Sequence, residues 1–271
     1  MRSGKKISEL VVLIRGAGEM ASGVAHRLYQ SHFTLCMTEV SHPLAVRREV
    51  SFCEAVYEGE KKVEGVRAML ISSPKEIESG WKKGFIPILV DPEAKLTKDF
   101  LKPDILIDAI MAKKNLGTRI DDAPLVIGLG PGFIAGKDAH IVIETNRGHH
   151  LGKMILKGEA EPDTGIPGEV GGYTAERLLR TMKKGIFHSH KSIGDKVTKG
   201  SVVAVVDDYP VIAQVSGVLR GLLREGIEVK KGTKVGDIDP RGKQEACFTI
   251  SEKARAIGGG VLEAILYWFN K

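Results

Sequence analysis

The run Leu10-Val11-Val12-Leu13-Ile14 leads straight into Arg15-Gly16-Ala17-Gly18-Glu19-Met20-Ala21. An apolar stretch of strand length that ends on G-x-G-x-x-A dictates a strand, a tight turn and a helix. Met20, Val24 and Leu28, four apart, supply the buried stripe of that helix over residues 19–31. In this pattern Gly16 permits the turn, Gly18 lets backbone approach a pyrophosphate, and Ala21 allows close helix-to-strand packing. The unpaired N–H groups of the helix start then face the anion. Glu39, 23 residues after Gly16 at the end of a second strand, stands where an acidic side chain accepts a ribose hydroxyl. The same residues also fit a turn whose glycines serve packing alone, with Glu19 placing a negative charge where a phosphate would sit. Arg47 and Arg48 either reach a further phosphate or stand in water.

Apolar runs at 10–14, 34–38, 86–90, 105–109, 125–128 and 141–144 alternate with helix-like segments, the signature of a parallel sheet with crossover helices. Residues 53–73 read as strand-rich instead. Segment 158–172 holds five Gly and two Pro, which no regular element tolerates, and reads as a linker or an ordered functional loop. A short helix over 174–182 is expected next. Beyond Gly185, Gly194-Asp-Lys-Val197-Thr-Lys-Gly200 recurs 32 residues later as Gly226-Ile-Glu-Val229-Lys-Lys-Gly232. Each copy precedes a β-branched strand, so two halves related by a pseudo-twofold make a small β sandwich. A terminal helix over 251–270 should break at Gly258-Gly259-Gly260, since each Gly costs about 1 kcal/mol relative to Ala. Its last turns are apolar on nearly all sides and must be buried, on their own domain or against a second subunit.

The expected fold class is therefore α/β: a Rossmann-like, mostly parallel sheet domain, then a small all-β barrel-sandwich-hybrid domain and a C-terminal helix. The segments are 1–155 for nucleotide or cofactor binding, 156–184 as linker with a short helix, 185–243 as β domain, and 244–271 as terminal helical segment.

Other candidate residues lie where strands end. Gly128-Leu-Gly130-Pro131-Gly132 follows a strand and borders the same sheet edge, although Pro131 removes one donor. Asp108 closes another strand, with Lys113, Lys114 and Asn115 after it; it either orients a proton donor or caps a turn. Glu144-Thr-Asn-Arg147-Gly-His149-His150 gathers a carboxylate, a guanidinium and two imidazoles, and His149 is the candidate acid or base. Asp108, Lys113 and His149 form the catalytic set; Gly16, Gly18, Ala21, Glu39, Gly128, Gly130, Gly132, Glu144 and Arg147 form the binding set. No metal site is expected, because His188-Ser-His190 has no companion ligands.

Lys plus Arg number 40 against 34 Asp plus Glu, a net charge of +6 spread along the chain, which suits small anions and does not call for nucleic acid. No run approaches membrane-spanning length and no signal peptide is read at the start. Three distant cysteines, Cys36, Cys53 and Cys247, indicate a reducing, cytoplasmic setting.

The second-half repeat resembles the lipoyl/biotinyl-carrier modules, in which a hairpin presents a modified lysine. Here the hairpin is Asp207-Asp208-Tyr209-Pro210 and no lysine occurs from Gly200 through Val229, so the resemblance implies a structural or docking module. Across the chain, Arg15-Gly-Ala-Gly18, Met37-Thr-Glu39, Pro43-Leu-Ala-Val-Arg-Arg48, Ser51-Phe-Cys-Glu-Ala-Val56, Gly130-Pro-Gly-Phe133, Glu144-Thr-Asn-Arg-Gly-His149, Thr164-Gly-Ile-Pro-Gly168, Gly217-Val-Leu-Arg-Gly221, Gly236-Asp-Ile-Asp-Pro-Arg241 and Lys253-Ala-Arg-Ala-Ile-Gly-Gly-Gly260 carry a second resemblance. It is to the YqeB-type, selenium-dependent molybdenum-hydroxylase accessory family. That resemblance implies cofactor maturation, with molybdopterin or its cytosine dinucleotide as ligand and a hydroxylase or its maturation proteins as partner. The alternatives are an NAD(P)-dependent oxidoreductase and a non-catalytic docking scaffold for a hydroxylase subunit; on any of these readings a second copy is a candidate partner through the terminal helix.

Overall fold

The computed structural model describes residues 5–270. They form two units, one built from the chain up to Pro43, Ser51–Thr164 and the chain from Ile250, the other from Leu44–Val50 and Gly165–Thr249. The four consecutive segments expected from composition thus become two discontinuous units, because the terminal helix belongs with the first.

The first unit opens with β1 (Val11–Arg15), α1 (Glu19–Gln30), β2 (Thr34–Glu39), α2 (Ala55–Glu58), β3 (Glu60–Val63) and β4 (Val66–Leu70). It continues through α3 (Ile77–Lys82), β5 (Ile86–Val90), α4 (Lys95–Leu101), β6 (Ile105–Asp108) and β7 (Leu125–Leu129). The strands β8 (Ile134–Ala135), β9 (Ile141–Ile143), β10 (Met154–Ile155) and β11 (Gly158–Glu159) follow. Nine of these strands form one sheet in the order β10-β9-β7-β6-β1-β2-β5-β4-β3, and β8 pairs with β11 apart from it. Leu13, Ile14, Ile105, Leu106, Val126 and Ile127 are fully buried, as central strands covered on both faces require.

This sheet corrects the expected fold class. It is mixed: β3 lies antiparallel to β4 at one edge and β10 antiparallel to β9 at the other. The regular helix-crossover pattern also lapses, since only a 3-10 turn, Ile120–Asp122, separates β6 from β7, and β8 lies between β7 and β9. Rossmann-like order is confined to β1-α1-β2 and its parallel neighbours. The strand order reverses at β1, with β2 on one side and β6 on the other, so the loops after β1 and β6 border a crevice at the C-terminal sheet edge.

The terminal helix, α5 (Glu252–Phe269), is a second correction: it runs without a break through its three glycines. Close packing inside the unit explains why. A Cβ on Gly23 of α1 would lie 2.7 Å from the Cβ of Ala254, one on Gly258 3.1 Å from the carbonyl of Gly23, and one on Gly260 2.0 Å from the carbonyl of Gly152. Glycine lets the two helices touch backbone to backbone, and burial of Ile257, Val261, Ala264 and Ile265 offsets its conformational cost. The apolar face of α5 is thereby covered by its own unit. None of the described helices is long and apolar enough to cross a membrane.

The second unit contains β12 (Leu178–Arg180), β13 (Gly185–Ser189), β14 (Lys196–Val197), β15 (Val202–Val206), β16 (Tyr209–Ile212), β17 (Gly217–Leu222), β18 (Glu228–Val229) and β19 (Lys234–Asp239). They make two four-stranded sheets, β12-β19-β17-β14 and β16-β15-β13-β18. Exchanging β13 with β17, β14 with β18, β15 with β19 and β16 with β12 maps one sheet onto the other, the symmetry the repeat encodes. The helix expected over 174–182 is instead a 3-10 turn, Ala175–Arg177, followed by β12. Tertiary bonding outweighs helical propensity there: Leu179 packs on Gly236, and the Arg177 guanidinium binds Asp237. Asp237 also accepts from Arg220 at 2.7 and 3.1 Å, and Asp239 from Arg241 at 2.7 and 2.9 Å. Burial pushes both carboxyls up, but Lys234, Arg220 and Arg177 around Asp237, and Arg241 with Arg220 around Asp239, outweigh it and hold both below the ordinary range.

A Cβ on Gly259 meets nothing within 4 Å, whereas one on Gly260 meets backbone at 2.0 Å. Gly259→Ala should therefore raise stability by up to about 1 kcal/mol, and Gly260→Ala lower it by about 1–3 kcal/mol or more, read as opposite shifts of the thermal midpoint.

Candidate functional site

Of the expected site residues of the first unit, Gly16, Gly18, Lys113, Gly130, Gly132, Glu144, Arg147 and His149 lie in the loops after β1, β6, β7 and β9, whereas Glu39 ends β2, Asp108 ends β6, Gly128 is inside β7 and Ala21 is within α1. Gly16, at φ +93°, has a conformation only glycine adopts freely, and its Cβ would press on the carbonyl of Ala109 at 3.1 Å. Gly18 differs: it is extended at φ −69° and ψ −173°, and a Cβ there meets nothing within 4 Å. No packing within the chain requires glycine at 18, so the space over it is open to a ligand. No side chain caps α1, which leaves the donors of its first turn facing that space. Ala21 is fully buried, in its expected packing role.

Glu39 is partly turned toward this loop. Its Oε2 accepts from the Ala17 N–H and its Oε1 from the Val40 N–H, each at 2.8 Å. Burial pushes its carboxyl above the ordinary range while the two bonds pull the other way. Each oxygen keeps a lone pair for a hydroxyl donor. Beside it is a cavity of ≈ 240 Å³ whose lining includes Arg15, Gly16, Glu39, Val40, Ile110 and Leu116. Arg15 is 4% exposed and its Nε has no hydrogen-bond partner.

The other end of that guanidinium is fully engaged. Arg15 Nη1 donates to Asp108 Oδ2 at 3.2 Å and to the Thr118 hydroxyl, which donates in turn to the same carboxylate oxygen at 2.5 Å. Asp108 is 2% exposed and stands as the buried counter-ion of Arg15 beneath the loop. Lys113 and His149 are exposed: Lys113 lies 3.7 Å from Asp163, and His149 stacks edge-on against His150. Of the three expected catalytic residues, Asp108 is thus buried with Arg15, while Lys113 and His149 stand on exposed turns.

The glycines in and after β7 also close on protein. A Cβ on Gly128 would strike Phe133 at 2.5 Å, on Gly130 the Thr145 hydroxyl at 2.4 Å, and on Gly132 the Lys114 backbone at 2.6 Å. Their smallness lets this loop nest against its neighbours. Glu144, 2% exposed, accepts from the N–H groups of Thr145, Asn146 and Glu161, each at 2.7 Å, and fixes the turn after β9. Arg147 pairs with Glu252 at the start of α5. Among the described residues, no group of three metal-ligating side chains stands together; His188 hydrogen-bonds to Glu225 at 2.8 Å.

One residue of this cluster is missing from the set expected from sequence. Lys253 lies in the first turn of α5, where burial and the charges of Lys113 and Arg147 lower its ammonium pKa to about 8, against the attraction of Glu19 and Glu144. Its distance in sequence from Glu19, Lys113, Arg147 and Glu144 hides it; the local signs are its place in the motif Lys253 to Gly260 and just after the capping Ser251.

No protein-family description matches the chain. It is 51% identical over 256 residues to the uncharacterized protein YqeB of Escherichia coli (strain K12), an alignment covering 94% of this chain and 47% of that protein. The chain therefore spans about half the length of the curated relative it matches. Because that relative is itself uncharacterized, the reading of the motifs as marks of a selenium-dependent molybdenum-hydroxylase accessory family is corrected, and the roles implied only by it fall away. Among solved structures, an aspartoacylase family protein from Mesorhizobium loti shares 15% identity with a TM-score of 0.27, covering 84% of each chain. A succinylglutamate desuccinylase/aspartoacylase from Rhodobacter sphaeroides gives 14% and 0.27 over 84% of each. Likeness at this level assigns neither fold nor chemistry.

Two outcomes follow. Asp108→Asn strands a buried guanidinium and should cost about 3 kcal/mol of stability in urea unfolding. For Lys253, the folded chain releases its proton near pH 8 while the unfolded chain holds it to about 10.5, so this group makes stability rise with pH across that window and has no such effect below it. Lys253→Met should remove that rise, as measured by urea midpoints across the window.

Proposed function

We propose that the first unit binds a phosphorylated, nucleotide-like small molecule, with its phosphate over Gly18 at the start of α1 and its sugar against Glu39, in a reducing, cytoplasmic setting. The observation that carries this reading is the open space over Gly18, beside an uncapped helix start. The adjoining cavity supports it with matched polarity: Glu39 accepts hydroxyl donors, Arg15 offers one unused buried donor, and Val40, Ile110 and Leu116 give apolar walls. At ≈ 240 Å³ it is below the roughly 300–1,000 Å³ of drug-sized sites, so it takes one base-sized or sugar-sized group and leaves the remainder of the ligand outside. The three cysteines are all buried as thiols, which fits a reducing compartment.

The oxidoreductase reading loses its orienting carboxylate, since Asp108 is sealed beneath Arg15. The scaffold reading needs a terminal helix that can be removed without harm to ligand binding, but α5 is part of the first unit's core.

Titration calorimetry with AMP, NAD, NADP and inorganic phosphate tests the proposal. At least one nucleotide should bind with Kd below about 1 mM. Gly18→Val, which the extended backbone accommodates, should weaken it at least about tenfold, or about 1.4 kcal/mol, without lowering the thermal midpoint. Glu39→Gln should weaken the nucleotide but spare inorganic phosphate. Absence of nucleotide binding, or unchanged binding by Gly18→Val, overturns the reading.

A further inference from the structure

We propose that the pocket where β4 and β5 end binds a small primary amine with an apolar body, its ammonium on Asp91. This pocket, of ≈ 440 Å³, lies at the carboxyl ends of the two strands, where open α/β sheets place their ligands, and the start of α4 forms one side of it. Its walls include Ile71 and Leu89, which are buried, and Val90 and Leu96, which are 43% and 66% exposed. The last two present apolar surface that a ligand of the same character would cover.

Asp91 supplies the polar contact. It is only 6% exposed. Its Oδ2 accepts from the Thr97 N–H at 2.8 Å and from the Thr97 hydroxyl at 2.9 Å, which ties the start of α4 to the end of β5. Its Oδ1 accepts no hydrogen bond from a described residue, and neither oxygen has a cation within ion-pairing distance among the described residues. Yet Oδ1 is not sealed from the surface. A carboxylate this deeply set is ordinarily paired with a cation, and here the chain provides none.

The surroundings select an ammonium as that cation. No lysine, arginine or histidine is among the pocket's lining residues, and Lys75 and Lys95, close to it in sequence, are exposed. Glu76 adds a second negative charge: its Oε1 accepts from the Ser72 hydroxyl at 2.6 Å, and that bond holds its carboxyl below the ordinary range. The pocket therefore attracts cations and repels anions. Two carboxylates among apolar side chains offer too few oxygens for a calcium ion, which takes about six to eight, and no metal-ligating group of three stands there among the described residues. The volume falls within the roughly 300–1,000 Å³ of small-molecule sites and admits a ring or short chain behind the ammonium. None of the lining residues named here belongs to the cavity beside Glu39, so the inference stands whether or not a nucleotide occupies the space over Gly18.

Titration calorimetry on the full chain at about pH 7, with 2-phenylethylamine, 2-phenylethanol, 3-phenylpropionate and methylamine as probes, tests the proposal. Phenylethylamine should bind with Kd below about 1 mM, and each of the other three at least about tenfold more weakly. Asp91→Asn, which keeps an acceptor for Thr97, should bring the amine to the affinity of the alcohol. Glu76→Gln and Leu96→Gln, both at exposed positions, should each weaken the amine about threefold or more without lowering the thermal midpoint. Only Leu96→Gln should also weaken the alcohol. Should Asp91→Asn fail to fold, the comparison of probes and these two variants still decide. Amine and alcohol bound equally, no amine binding below about 1 mM, or undiminished amine binding by Leu96→Gln overturns the proposal.

Discussion

The contact between α1 and α5 is the constraint on which the first unit depends. Gly23 against Ala254, and Gly258 against the carbonyl of Gly23, bring the helices together at a separation no larger side chain permits. The first turn of α5 is then tied to Glu19 through Ser251 and to Arg147 through Glu252. Residues more than two hundred positions apart thereby share one sheet edge, and the candidate site exists only because the helix ends there.

Buried charge is handled the same way in both units, by pairing it beneath loops. Arg15 with Asp108 and Thr118 anchors the turn after β1, while Asp237 and Asp239 collect Arg177, Arg220 and Arg241 in the second unit. Such clusters specify register more than they stabilise, since desolvation consumes much of the Coulombic gain. In the first unit the arrangement leaves the Arg15 Nε buried without a hydrogen-bond partner.

Local chemistry was legible. The strand-turn-helix at Gly16 to Ala21, the strand starts, and the 32-residue repeat all follow from periodicity and glycine placement, because short-range backbone sterics decide them. Glu39 stands beside the turn after β1 as its spacing predicts, and part of its bonding serves the loop itself. Less legible were residues whose role depends on partners from elsewhere. Asp108 looked available until Arg15 and Thr118 sealed it, and Gly128, Gly130 and Gly132 resembled an anion cradle while packing on Phe133, Thr145 and Lys114. The glycine run in α5 suggested a break, but the backbone of Gly23 and Gly152 fills the space beside it.

The sequence by itself determined which segments turn, which alternate and where a glycine turn leads from a strand into a helix, since those depend on neighbours within a few residues. Only the tertiary structure decided that the sheet is mixed, that α5 closes the first unit, and that Lys253 stands among Glu19, Lys113, Glu144 and Arg147. The physical reason is range: backbone sterics act across one turn, whereas burial and charge act between whatever surfaces the fold brings together.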